Sequence, residues 1–219
     1  MQFDYFIIGK SFNVIGELYL LTLNRQAKTL SKSNLAALVC LVQSKRHPIR
    51  NKVVVFLSAK AGLRAKEIAH LTWAMMLNPD GGIGSHIALP NSASKGSSGR
   101  HIPINRDLRE ALEALYAAQA NGNPKAVPSG FVIKTERQDH TTAQAIVNQF
   151  IRWYRELGLI GCSSHSGRRT FITNAARKIS TVGGSLRDVQ QMAGHKSLNT
   201  TQRYIESDQL AQAKVVDLI

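Results

Sequence analysis

From residue 31 onward the apolar positions fall into helical stripes, broken once by a group of short extended segments. Leu35, Leu38, Val39 and Val42 recur at i, i+3, i+4 and i+7, which predicts an amphipathic helix ended by His47-Pro48. Residues 49–61 carry the unbroken run Val53-Val54-Val55-Phe56-Leu57, whose period alone fits a buried strand as well as a buried helix. The length of the segment, with Pro48 before it and Gly62 after it, selects the helix. Gly62 stops it, a new helix runs over residues 65–71, and Arg64 projects from the turn between them.

The pattern then shortens. Residues 73–77, a turn at Asn78-Pro79-Asp80-Gly81-Gly82 and residues 83–89 read as a hairpin, and residues 100–104 as a third strand whose Pro103 marks an edge. Between them, residues 91–99 form a polar connection with one charged side chain, Lys95. Helical spacing returns with Leu108, Leu112, Leu115 and Tyr116, and again with Ile146, Val147, Phe150, Ile151 and Tyr154. These stripes read as core. The segment 121–130 is a Gly- and Pro-containing connection, and Phe131-Val132-Ile133 is too short to assign.

Residues 163–204 differ from the rest, holding seven Lys or Arg against one acid, Asp188. Phe171, Ile172, Ala175, Ala176 and Ile179 predict a helix, with Ser163, Ser164 and Ser166 as cap candidates and His165 and Arg168 at its first turn. Free N–H groups and the helix dipole make such a turn an anion site. A second helix, with Leu186, Val189 and Met192 on its buried side, opens after Gly183-Gly184-Ser185 and stops at Gly194. Tyr204 follows in a polar stretch with little apolar company. Taken singly, each residue has an ordinary reading: Arg168 and Arg169 as a solvated basic turn, His165 as a cap, His195 as a helix-terminal histidine, Tyr204 as a half-buried ring with a wet hydroxyl, and Arg64 as a surface partner of Glu67.

Composition narrows the choice. The chain of 219 residues is 43% hydrophobic and 19% charged, enough to fold around one sizeable core. Its formal net charge of +14 points to a polyanionic partner, of which nucleic acid is the usual one. Residues 1–24 are apolar but interrupted by Lys10, Asn13 and Glu17, so they read neither as a membrane span nor as a secretory signal. They are taken as an N-terminal extension of unknown role. Cys40 reads as core and Cys162 as part of a small-residue turn; with no metal or redox spacing, they fit a reduced, cytoplasmic setting. No cluster of acids for a metal ion is evident, and no internal repeat.

Taken together, these residues resemble the tyrosine recombinases, or phage integrases. The resemblance rests on Gly62-Leu63-Arg64-Ala65-Lys66-Glu67-Ile68 with Leu71-Thr72-Trp73, on Ser94-Lys95-Gly96, on His165-Ser166-Gly167-Arg168, and on Gly194-His195 followed by Tyr204. Each box is weak alone; their joint occurrence in this order is specific. It covers the chain from about Gln26 and implies a catalytic domain over residues 25–219. The implied fold is α+β and mostly α-helical, with a small antiparallel β-sheet. By position it implies Arg64, Lys95, His165, Arg168, His195 and Tyr204 as catalytic residues. Ala193 departs from the leucine more usual before Gly-His, a change expected to affect packing alone. Members usually carry an additional N-terminal DNA-binding domain, for which few residues precede the catalytic boxes here.

The resemblance implies a site-specific recombinase acting on double-stranded DNA through a 3′-phosphotyrosyl intermediate, without metal, ATP or other cofactor. Tyrosine, with a reference pKa of about 10, needs a base, which His165 or His195 supplies. Two arginines bind the nonbridging oxygens, and Lys95 protonates the leaving 5′ oxygen. The apolar tail with Val215, Val216, Leu218 and Ile219 suggests oligomerisation on DNA through the C-terminal segment. A type IB topoisomerase-like activity and a noncatalytic DNA-binding regulator are the alternatives; no membrane partner is expected.

Overall fold

The structure, a computed structural model, describes residues 27–91, 99–120, 130–205 and 216–217. The extension 1–24, the segment 92–98 with Lys95, the connection 121–129, and Val215, Leu218 and Ile219 in the tail lie outside the described residues.

At the centre lies helix α2 (Pro48–Ala59), flanked by α1 (Lys32–Gln43) and followed by the short α3 (Ala65–Ala69). The ambiguous run on α2 is helical, and Val53 through Leu57 are all buried. It has no polar stripe because other elements cover it on several sides. These are α1, α4 (Arg106–Ala120), α6 (Ser166–Lys178) and α3. Pro48 sits at the N-terminal turn of α2, where its missing N–H costs nothing. Ser31 caps α1, its hydroxyl accepting the Asn34 N–H at 3.0 Å. Helix α5 (Ala143–Glu156), capped by Thr142, closes the core from the side of α3.

The sheet is smaller than the pattern predicts. Strands β1 (His86–Leu89) and β2 (Arg100–Pro103) pair antiparallel, His86 opposite Pro103 and Leu89 opposite Arg100. Residues 73–77 do not form a strand. Trp73–Met75 is a 3-10 turn, and the expected hairpin survives as a single bridge, Leu77 to Ile83, around the predicted turn. The reason is Trp73, which is fully buried, donates its indole N–H to Gln119 Oε1 at 2.9 Å and meets Tyr116 edge-on. Anchoring a ring that size turns the backbone inward. The unassigned segment at Phe131 bridges Thr72, and Val132 N–H bonds to Leu71 O.

Cys40 is exposed rather than part of the core, and Ile151 is likewise on the surface of α5. A second, small apolar cluster joins α6 to α7 (Leu186–Ala193) through Ile172, Val189 and Ala193, with Met192 and Tyr204 against it. Helix α8 (Leu198–Gln202) follows. The site lies along the seam between this cluster and the main core.

Candidate active site

Helix α6 starts at His165, in the N-cap position, but no serine caps it as the sequence suggested. Ser166 is fully buried and its hydroxyl accepts the Ser163 N–H, bracing the turn instead. Gly167 follows because a Cβ there would lie 2.3 Å from Ser58 Oγ of α2. That close approach buries the next residue, Arg168, at 3% exposure. Its Nη1 donates to Gly62 O at 2.5 Å, and its Nη2 to Ala193 O at 2.6 Å and to His195 Nε2 at 3.1 Å. Burial first, then the charges of Arg64 and Arg100, push this guanidinium down to about 10, so it remains cationic at neutral pH.

Helix α7 ends in a left-handed glycine, Gly194 (φ 62°). Gly194 N–H bonds to Gln191 O and His195 N–H to Gln190 O, the paired bonds of a Schellman ending. Two arginines satisfy the carbonyls left over: Arg168 takes Ala193 O, and Arg100 Nε takes Met192 O at 2.8 Å. Cations are also what the negative end of a helix dipole favours. His195 is thereby fixed just past the helix. Its Nδ1 lies 2.9 Å from Thr201 Oγ1, and its ring stacks on Tyr204 with centroids 5.4 Å apart and planes 21° from parallel. Burial, then Arg168, Arg64 and Arg100, push its pKa down to about 4.

Tyr204 is half-buried at the end of α8, with the Arg169 guanidinium 5.7 Å from its ring centre. It opens into a cleft of about 270 Å³ lined by His165, Arg168, Arg169 and Arg203 among others, with no acid among the lining residues. His165 is exposed at this mouth, and its ring nitrogens bond to no described residue. Partial desolvation by the cleft walls, then the charges of Arg168 and Arg64, lower its pKa.

Arg64 is the N-cap residue of α3 and does pair with Glu67, Nη1 to Oε1 at 2.9 Å. The surface setting is what differs. Glu67 is 1% exposed and holds a second cation, Arg100, through both carboxylate oxygens at 2.9 and 3.0 Å. Those hydrogen bonds and charges outweigh the desolvation that opposes them and keep the Glu67 carboxyl below the usual range. The structure thus gathers Arg64, His165, Arg168, His195 and Tyr204, while Lys95 lies outside the described residues. Sequence reasoning missed Arg100, Thr201 and Arg203. Arg100 had a signal: period-2 alternation on β2 puts it on the buried face with Ile102.

Among the described residues, no group of three or more His, Cys, Asp or Glu side chains could hold a metal ion. None of the helices described is long and apolar enough to cross a membrane.

With the geometry established, comparison with known proteins yields consistent matches. The model of the phage integrase family matches residues 28–210. The chain is 27% identical to the tyrosine recombinase XerC of Proteus mirabilis over 77% of its own length and 51% of the relative's. To XerC of Pseudomonas putida it is 30% identical over 77% of its length and 52% of the relative's. The chain therefore spans about half the length of these curated relatives. Among solved structures, the fold is similar to XerA recombinase, with a TM-score of 0.67 and 21% identity over 90% of this chain and 67% of that one. It is also similar to XerH site-specific recombinase bound to difH substrate in a pre-cleavage complex. That TM-score is 0.65, with 19% identity over 89% of this chain and 55% of the other.

Proposed function

This chain belongs to the phage integrase family, and from that premise we propose that it is a site-specific DNA recombinase that cleaves and rejoins strands through a 3′-phosphotyrosyl intermediate. The observation that carries the reading is the acid-free cleft in which Tyr204 faces His165, Arg168 and Arg203. A phosphodiester is the anion that such a cleft suits, and tyrosine is the nucleophile it contains.

In the proposed reaction, Tyr204 Oη attacks the phosphorus, forming the P–O(Tyr) bond as the P–O5′ bond breaks. His165 takes the phenolic proton. Its open position at the mouth and its lowered pKa, which keeps the imidazole neutral near pH 7, support that role. His195 has both ring nitrogens engaged and lies face-on to Tyr204, which supports a positioning role for it. Arg64 and the N–H groups of Arg168 not used by Gly62, Ala193 and His195 hold the nonbridging oxygens as charge develops. Lys95 is the proposed acid, delivering a proton to the 5′ oxygen. The charge is thus met by side chains, and the bond energy retained in the phosphotyrosine lets a 5′ hydroxyl reverse the step without ATP.

We extend the proposal to double-stranded DNA as partner, to residues 25–219 as the catalytic domain, to a cytoplasmic setting, and to protomer contacts through the C-terminal segment. Exposed Val216 supports the last of these. The test mixes the purified protein with fragmented DNA, denatures it and assays DNA covalently attached to protein. An adduct formed by wild type and lost in Tyr204→Phe, with DNA binding retained, is the expected result. An adduct that survives in Tyr204→Phe removes Tyr204 as nucleophile. Salt-sensitive binding with no adduct at all favours the noncatalytic regulator.

A further inference from the structure

Arg100 takes no part in the chemistry proposed above, yet its side chain is 4% exposed and lies between two groups that do. Through Nη1 and Nη2 it engages both oxygens of Glu67, the carboxylate that also accepts from Arg64 Nη1 and from the Arg64 backbone N–H. Through Nε it holds Met192 O, three residues before His195. The fit is close: a Cβ on Gly194 would stand 2.8 Å from Arg100 Nη1 and 3.0 Å from its Cδ.

The charges explain why two arginines meet one buried acid. With Arg64 alone as partner, Glu67 would turn the Arg64 guanidinium inward and cancel its charge toward an incoming phosphate. With Arg100 bridging both oxygens, its charge balances that of Glu67, so Arg64, which still gives one N–H to Oε1, keeps its field. Nε, Nη1 and Nη2 of Arg100 are all engaged by Met192 O and Glu67, and its position on β2 ties the strand, α3 and the end of α7 into one unit.

We propose that Arg100 is a positioning residue that keeps Arg64 directed at the scissile phosphate and the His195 turn in place, by occupying the Glu67 carboxylate and the Met192 carbonyl. This rests on Arg64 and His195 facing the substrate as proposed above.

The experiment compares wild type, Arg100→Lys, Arg100→Met and Glu67→Gln/Arg100→Met, with thermal unfolding checking that each is folded. Single-turnover adduct formation is measured on a duplex carrying the sequence recovered with the wild-type adduct, and on the same duplex with a methylphosphonate at the scissile position. His195 titration is followed by imidazole NMR. Arg100→Met should slow adduct formation by about a hundredfold, the scale of one lost electrostatic contact in a transition state, with DNA affinity little changed. Arg100→Lys, which lacks the fork, should fall between. The double variant should recover about tenfold, because glutamine does not compete for Arg64, and the defect should shrink on the less charged methylphosphonate. The His195 midpoint should rise in Arg100→Met. An equal defect on both phosphates without rescue, or a wild-type rate in Arg100→Met, overturns the proposal. If wild type forms no adduct, the recombinase reading fails, and the NMR decides by itself: a raised His195 midpoint supports the Arg100 role and an unchanged one overturns it.

Discussion

Arg168 fixes the tautomer of His195. An arginine only donates, so His195 Nε2, 3.1 Å from Arg168 Nη2, is the acceptor, and the neutral ring carries its proton on Nδ1. That proton points to Thr201 Oγ1 at 2.9 Å, and Thr201 is fully buried. A charged imidazole would have to aim a second N–H at the guanidinium, which is the local reason that protonation is disfavoured.

The first prediction concerns pH. His195 titrates near 6.5 in an unfolded chain and at about 4 here, so below pH 6.5 the unfolded state binds more protons. The stability this group contributes is therefore complete above about pH 6.5 and lost as pH falls toward 4. His165, also shifted down, acts in the same direction. After discounting for the solvent access of a half-buried ring, the effect of His195 is about 1 kcal/mol. Urea unfolding at pH 7, 6 and 5 should show wild type losing stability faster than His195→Gln. Parallel slopes would refute the assignment.

The second prediction tests the helix contact beneath the site. Gly167→Ala places a methyl 2.3 Å from Ser58 Oγ and 3.0 Å from Ser58 Cβ, forcing α2 and α6 apart at a cost of about 1–3 kcal/mol. Ser58 Oγ is buried without a hydrogen-bond partner, so Ser58→Ala should cost little or stabilise. The double variant should regain part of the loss, since the oxygen is gone but Cβ remains. Thermal unfolding of the three proteins gives the answer, and strict additivity would mean that the two residues do not interact.

The helices were legible because each has a stripe or a punctuating residue, whereas Arg64, His165, Arg168, His195 and Tyr204 stood out only through the joint resemblance of their boxes to the tyrosine recombinases, each having an ordinary reading alone. Trp73 was misread: the turn residues at 78–82 suggested a hairpin with a strand before it, while the volume of the ring, satisfied only by the interior, set the backbone. Cys40 was misread from its apolar neighbours, although it lies off the Leu35–Leu38–Val42 stripe of its own helix. Arg100 acts through partners distant in sequence, Glu67 and Met192, and Thr201 through His195 across the end of a helix; such pairings leave only the faint trace of a polar residue on an inward face.

The third prediction bears on Lys95, whose role is argued from its box alone. If it protonates the 5′ oxygen, Lys95→Ala should slow cleavage far more for an ordinary substrate than for one with sulfur at the 5′ position, because a thiolate leaves without a proton. General acid catalysis is worth about 10²–10⁴-fold, and that is the expected gap between the substrates. Equal losses would remove Lys95 as the acid.

The last prediction separates the cleft from the surface at large. If DNA is the partner as proposed, a chain of net charge +14 meets it through many weak contacts, so losing one cation is visible only if it sits on a phosphate. Arg203 is exposed and lines the Tyr204 cleft. Arg106 is also exposed, but Glu110 already offsets it at 3.0 Å, away from that cleft. Removing a phosphate contact lowers the slope of log K against log salt by about 0.9 on duplex DNA. Arg203→Gln should therefore flatten the salt dependence by about one unit, measured by fluorescence anisotropy with a labelled duplex, while Arg106→Gln leaves it unchanged. Equal effects from both would mean that DNA reads only net charge, and the cleft would lose its claim to the phosphate.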